Sequence, residues 1–350
     1  MRERLGLRGH QPLSPVLEDR LCHLAVSATS FERAAEIACR QGIATDAGHI
    51  RRVALQVGER AEAEAARRES AAFDPKENRT IARTAGRELS GERFSMVLML
   101  DGMMLRSRGQ DWGMKPALAP GERVSWHEVK AGLVIRLPES PTRKRQLFAK
   151  YYVASDGGPD AVGRKLYAEA LRRGLEQAQQ VYVIADGAVW IWRVAEEHFP
   201  GSIEALDFYH ASEHVWALSR ALWEDDEEQM RQWAIPLLHA LKHRGGEELL
   251  FAVSEFQQKA VAEGWGDSKR QVLDREAAYF RNHAPRMDYP GFKRRGFPIG
   301  SGAMESACSQ LQGRFKCPGQ FWSRLGERKL MALALAWRNR DWNELWAQSA

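Results

Sequence analysis

Three acidic residues stand where chemistry could be done: Asp101, Asp186 and Glu305. Asp101 closes the apolar run Met96–Leu100, Asp186 closes Val181–Ala185, and a glycine follows each. Runs of this kind predict strands buried on both faces. A carboxylate at the end of such a strand is costly to bury unpaired, so it is expected where the sheet edge opens on a site. The glycine lets backbone or ligand come close. Taken alone, either aspartate is more often a cap or a turn former. Glu305 shifts that balance. After Gly300-Ser301-Gly302, an amphipathic helix puts Glu305, Ser309, Gln312 and Lys316 on a polar face and Met304, Cys308, Leu311 and Phe315 on an apolar one. Glu305 then points away from the packing, near the positive end of the helix.

Three gathered carboxylates repel one another and raise each other's proton affinity. A divalent cation relieves this, and Mg²⁺ (or Mn²⁺) prefers a few carboxylates together with water and phosphate oxygens. A pair of such ions can activate water or a 3′-hydroxyl and stabilise the leaving oxygen of a phosphoryl transfer. Asp207-Phe208-Tyr209-His210, followed by Glu213-His214, puts a second polar group at the same expected sheet edge. A lone Asp or His there is more often a satisfied structural residue. No Cys/His set has zinc spacing, and no Walker-type phosphate loop is present.

The elements needed to position these groups can be read along the chain. Residues 16–58 predict three short helices, with Leu17, Leu21, Leu24 and Ala28 as the stripe of the first. Ile50, Val53 and Val57 face inward on the third, and Arg51 and Arg52 face outward. That pattern resembles a helix-turn-helix. Residues 61–92 read as a helical linker, and residues 93–350 as the catalytic unit. Within this unit strands are expected around residues 94–106, 126–137, 146–154, 181–185 and 203–208, with helices between the later ones and a helical insertion at about 211–290. The expected fold is α/β: a ribonuclease-H-like mixed sheet with a helical insertion, preceded by a small all-α domain over residues 1–60.

With 350 residues, 44% hydrophobic and 28% charged, the chain can bury a substantial core. The net charge of +5 is modest, but residues 281–340 hold twelve Lys or Arg against three carboxylates. Such an excess favours a polyanion such as double-stranded DNA over the alternative of a solvated basic face. Four unpatterned cysteines, no apolar leader and no membrane-length run predict a cytoplasmic, nucleoid-associated protein with no membrane partner.

The blocks Asp101-Gly102, Asp186-Gly187-Ala188-Val189-Trp190-Ile191, Leu206 to His214 and Pro298 to Glu305, in that order, resemble the bacterial insertion-sequence transposases of the ISKra type. These are DDE enzymes similar in layout to the Mutator-like group. The resemblance spans roughly residues 5–340. It implies metal-dependent DNA cleavage and strand transfer, with Asp101, Asp186 and Glu305 as catalytic metal ligands. It also implies a supporting role for Asp207 and His210 in an Asp/Cys-x-x-His motif, and a homo-oligomer acting on element ends and target. By the same likeness Arg314, Lys316, Trp322 and Ser323 join Lys293, Arg294, Arg295, Arg51 and Arg52 as expected DNA contacts. Members of the group commonly carry a cysteine-paired, zinc-ribbon-like segment ahead of the helix-turn-helix, which this sequence lacks. A domesticated or truncated transposase that binds DNA without moving it is therefore the alternative expectation, and a nuclease without strand transfer is a third.

Overall fold

The computed structural model describes residues 13–114, 123–139, 149–224 and 226–347. A five-stranded mixed sheet organises them. Its strands are β1 (Phe94–Arg108), β2 (Val124–Pro138), β3 (Ala149–Ser155), β4 (Val181–Ala185) and β5 (Ile203–Leu206), in the spatial order β3-β2-β1-β4-β5. The β1–β2 and β2–β3 pairs are antiparallel, whereas β1–β4 and β4–β5 are parallel. The expected start of the third strand, residues 146–148, lies outside the described residues, as do residues 1–12 and 348–350 of the expected domains. Two strand ends differ from expectation. β1 runs past Asp101 as expected but ends at Arg108 rather than at about residue 106, because β2 stays paired with it throughout. β5 stops at Leu206, because Asp207 turns the chain into the next helix.

The pleat sorts β1 between two cores. Phe94, Met96, Leu98 and Leu100 pack with residues of α5 (Gly158–Arg172) and α6 (Val189–His198). Val97, Met99, Met103 and Leu105 face the other way. They join one continuous core with α1 (Pro15–Ser27), α2 (Phe31–Arg40) and α3 (Ala47–Phe73) from the front of the chain. Between α3 and β1 lies α4 (Pro75–Glu88). The same core takes in the helical array that follows β5: α7 (Phe208–Trp223), α8 (Glu227–Arg244), α9 (Glu247–Ala262), α10 (Asp267–His283) and α11 (Tyr289–Arg295). The chain closes with α12 (Gly302–Phe315), α13 (Arg324–Arg338) and α14 (Glu344–Ala347).

The first helices start as their sequences dictate. The Ser30 hydroxyl accepts the Arg33 amide, and the Asp46 carboxylate accepts the His49 amide, each an N-cap. Gly42, at φ 78°, lets the chain leave α2. The third helix is not short, however. It runs on through an Ala-, Glu- and Arg-rich stretch of good helix formers to Phe73, so the expected boundary at residue 60 falls mid-helix. The expected linker is the second half of α3 plus α4, whose first turn begins at Pro75 under an Asp74 cap.

What keeps α3 straight against the rest is α13. Lys329 pairs with Glu59 at 2.9 Å and Arg328 with Glu62 at 3.3 Å. At the crossing sits Gly58, where a Cβ would lie 2.3 Å from the Lys329 carbonyl oxygen. On an open helix, Gly→Ala stabilises by about 1 kcal/mol. Gly58→Ala is expected to do the reverse, lowering the urea midpoint through an overpacking cost of about 1–3 kcal/mol in unfolding free energy. A raised midpoint would contradict this helix contact.

Candidate active site

The positions of the aspartates follow from strand register. The last β1–β4 pair is Met99 with Ile184, and the last β4–β5 pair is Ala185 with Leu206. Carrying those registers forward sets Asp101 beside Asp186, and Asp186 beside Asp207. The Asp207 amide indeed donates to the Ala185 carbonyl at 2.7 Å. Three neighbouring strands thus deliver three aspartates to one edge, where β4 and β5 end and β1 goes on alone with β2.

Asp101 is half-buried. One carboxylate oxygen accepts the Gly102 amide at 2.6 Å, and the other lies 3.8 Å from the Cys308 sulfur on α12. Burial, and then the negative charge of Asp186, hold its proton affinity above the ordinary carboxylate range; the Gly102 amide, His210 and Cys308 offset this only in part. The Cys308 thiol is pushed up to about 12, first by its own burial and then by Asp101. Asp186 accepts the Ala188 amide at 2.9 Å, and its carbonyl accepts the Tyr279 hydroxyl of α10 at 3.0 Å. The turn depends on Gly187, which sits at φ 101° with Tyr279 and His283 close on its free side.

Asp207 is fully buried, and its oxygens are spent on peptide groups. One accepts the Tyr209 and His210 amides at 2.6 and 3.3 Å, capping α7, and the other accepts the Ser301 amide at 2.5 Å. The Phe208 amide also donates to the Ile299 carbonyl at 2.8 Å. These bonds fasten the Gly300-Ser301-Gly302 entry of α12 to the sheet edge. The Tyr209 ring closes over Gly300, where a Cβ would meet it at 2.6 Å.

From that anchored entry α12 runs as its pattern predicts. Met304, Cys308, Leu311 and Phe315 are buried, and Glu305 and Ser309 are exposed. Single donor atoms of Glu305, His210 and Asp207 lie within 4.8 Å of one another. Asp101 and Asp186 form the neighbouring pair, and His210 borders both groups, since its charge also acts on Asp101. Because Asp207 is saturated by amides, the groups left to meet a ligand are Asp101, Asp186, Glu305 and His210. The hard carboxylate oxygens suit Mg²⁺ or Mn²⁺, whereas an imidazole is a ligand more typical of softer divalent metals.

Sequence reasoning missed the backing of this site. The His214 ring stacks on Tyr279 with centroids 3.6 Å apart, and its Nδ1 lies 2.5 Å from the buried Glu276 carboxylate. His283 is held down at about 4 by burial and then by Arg286. These groups hold the Asp186-Gly187 turn from α7 and α10. In the sequence His214 already stands in the polar block that follows Asp207, and Tyr279 and His283 lie four residues apart on one helix face; what joins them has no local signal.

The expected DNA contacts divide. Arg51 and Arg52 on α3, Lys293, Arg294 and Arg295 at the end of α11, and Lys316 after α12 are exposed. Arg314 and Trp322 are not, being 5% and 7% exposed. The Arg314 guanidinium donates to the Ala25 carbonyl at 2.8 Å and lies over the Phe31 and Trp322 rings, and burial lowers its proton affinity to about 10. The indole N–H of Trp322 donates to the Phe315 carbonyl. Both are packing groups between α12 and the front helices. The linear excess of charge also disperses on folding. Arg286, Arg324, Arg328 and Lys329 pair with Glu204, Asp156, Glu62 and Glu59, all from outside the basic segment.

No protein-family profile matches this chain, and the search of curated proteins returns no match.

Because the folded Asp101 binds its proton more tightly than the unfolded chain does, its ionised form opposes folding. That penalty is present above the raised folded value and fades as pH falls toward the ordinary carboxyl value. Asp101→Asn is therefore expected to raise the urea midpoint at pH 7, by an amount that shrinks through that acidic window. A gain equal at every pH would refute the assignment. Asp207→Asn, which sets an amide against peptide donors, should cost about 1–3 kcal/mol of stability. Unchanged unfolding in that variant would show that the carboxylate is not the anchor.

Proposed function

We propose that the protein is a DDE transposase of the ISKra type, which cuts DNA and joins the new 3′ end to a target in a metal-dependent reaction. The observation carrying this reading is the in-register delivery of Asp101 and Asp186 to one open sheet edge, with α12 bringing Glu305 to the same edge beside His210. The order β3-β2-β1-β4-β5, three antiparallel strands followed by two parallel ones, supports a ribonuclease-H-like frame. So does the helical array α7–α11 lying between β5 and α12, as an insertion before the last part of that frame.

Asp101, Asp186 and Glu305 would hold the cation, as one ion or two. Bound there, Mg²⁺ or Mn²⁺ would supply the positive charge that activates water or a 3′-hydroxyl and steadies the leaving oxygen. The chain's own contribution is preorganisation. Asp101 and Asp186 are fixed by the Gly102 and Ala188 amides, and Glu305 by the anchorage of its helix at Asp207. His210 borders the same group, beside Glu305 and with Glu213 3.4 Å from its Nδ1. In the overall chemistry a water oxygen forms a bond to phosphorus while the bond to the 3′ oxygen breaks, and that oxygen takes a proton. In the joining step the 3′-hydroxyl loses its proton as it bonds to a target phosphorus, and a target ester bond breaks. Exposed Arg51 and Arg52 support binding of element ends through α2 and α3, as a helix-turn-helix would bind them.

With DNA carrying the sequences that flank the gene, Mg²⁺- or Mn²⁺-dependent cleavage and strand transfer are expected. Both should be lost in Asp101→Asn, Asp186→Asn and Glu305→Gln, while the variants stay folded and keep binding DNA. Cleavage surviving all three substitutions would overturn the assignment. Specific binding with no cleavage in the wild type would select the domesticated DNA-binding protein instead, and cleavage without joining would select a nuclease.

A further inference from the structure

Beyond Leu100, β1 and β2 continue as a two-stranded ribbon; among the described residues α6 reaches its α5–α6 side only at Lys130, through Trp190. Gly102, Met104, Arg106 and Arg108 alternate along β1 on this side, opposite Lys130, Glu128, Trp126 and Val124 of β2. Trp126 is 52% exposed, and Met104 is exposed beside it. One exposed indole is ordinary on a protein surface; its setting is what singles this one out. Two cations flank this one. The Arg106 guanidinium lies 5.8 Å from the ring centroid and the Lys316 ammonium 5.5 Å from it, both within cation–π range. Arg106 is held in place from behind. Its Nη2 donates to the Lys316 and Cys317 carbonyls at 3.2 and 3.0 Å, and it lies over the Phe321 ring.

The charges of these two cations remain available. Among the described residues neither Arg106 nor Lys316 forms an ion pair with a carboxylate, whereas Glu128, the acid on the ribbon, is paired with Lys130. The ribbon also starts next to the aspartates. Asp101 shares the pleat face of Met99 and Met103, opposite Gly102 and Trp126, and the edge of β1 past the end of β4 joins the two faces; Arg106 lies five residues along the strand, on the order of 17 Å away.

We propose that this face, centred on Trp126, binds an unpaired stretch of DNA leading from the aspartate edge. One base stacks on the indole, and the adjacent phosphates meet Arg106 and Lys316. The inference rests on the DNA-processing reading and names where the strand runs. The chemistry selects a single strand over a duplex, because an indole can cover a base only when that base is out of its stack. The cations, by contrast, require only phosphate. The face also takes over the part first expected of Trp322, which is buried.

The test uses the full chain in chelator, with fluorescence anisotropy of labelled oligothymidylate and of a duplex of equal length. Trp126→Ala is expected to weaken oligothymidylate binding by about 5- to 150-fold, the range for one stacked base, and to leave duplex binding within about twofold. Trp126→Phe should retain most of the affinity. Lys316→Ala should lower the salt slope of single-strand binding by about 0.7, one phosphate contact. Unfolding midpoints equal to that of the wild type would establish that all three variants fold. Oligothymidylate bound equally well by Trp126→Ala would overturn the proposal. Metal-dependent cleavage by the wild type, measured in parallel, separates the two ideas. Intact cleavage with no effect of Trp126 sinks the stacking face alone. Trp126-dependent single-strand binding without cleavage supports the face and sinks the enzymatic reading.

Discussion

At Asp207 two segments distant in sequence meet on one carboxylate: the junction where β5 turns into α7, and the loop that opens α12. A buried carboxylate is tolerated only when its lone pairs are filled, and here peptide N–H groups fill them. The same bonds determine where α12 begins, hence where Glu305 lies relative to Asp101 and Asp186. Cys308, one turn beyond Glu305, reaches Asp101 directly, so a shift of α12 would disturb both carboxylates together. The most buried acid at the edge is therefore an anchor, and the exposed ones are left for chemistry.

The rest of the site is held by similar means. Backbone amides steady Asp101 and Asp186, and a glycine with positive φ turns the chain after Asp186. The helical array behind it contributes Tyr279, His214, Glu276 and His283, an aromatic and hydrogen-bonded wall. Negative charge is thus concentrated at an edge with little freedom to relax. The raised proton affinity of Asp101 follows first from its burial and then from the charge of Asp186, a penalty that the cation of the proposed reaction would relieve.

Charge along the sequence and charge on the surface diverge here for a simple reason. Side chains as long as Arg and Lys reach across helix boundaries, so Glu59, Glu62, Asp156 and Glu204 neutralise part of a basic segment remote in the chain. Arg314 goes further, spending its charge on a carbonyl and two rings inside the core. Meanwhile Arg106 and Trp126, unremarkable in sequence, become a basic aromatic face because the ribbon that carries them outruns the helices covering the sheet.

The residues and local periodicities were enough to determine the two apolar strands with their aspartates, the Gly-entered helix with Glu305 on its polar face, and the alternation of strands and helices. Each of these depends on contacts within a few residues, where pattern and propensity decide. Tertiary structure alone decided the rest. It set the register that aligns Asp101, Asp186 and Asp207, the fusion of α3 into the main core through Gly58 and α13, the burial of Arg314 and Trp322, and the anchoring part played by Asp207. All of these turn on which distant backbone or side chain comes to lie opposite, and no local pattern encodes that. Asp101, Asp186 and Glu305 were legible as three carboxylates, but their shared edge was made by register and by one buried aspartate.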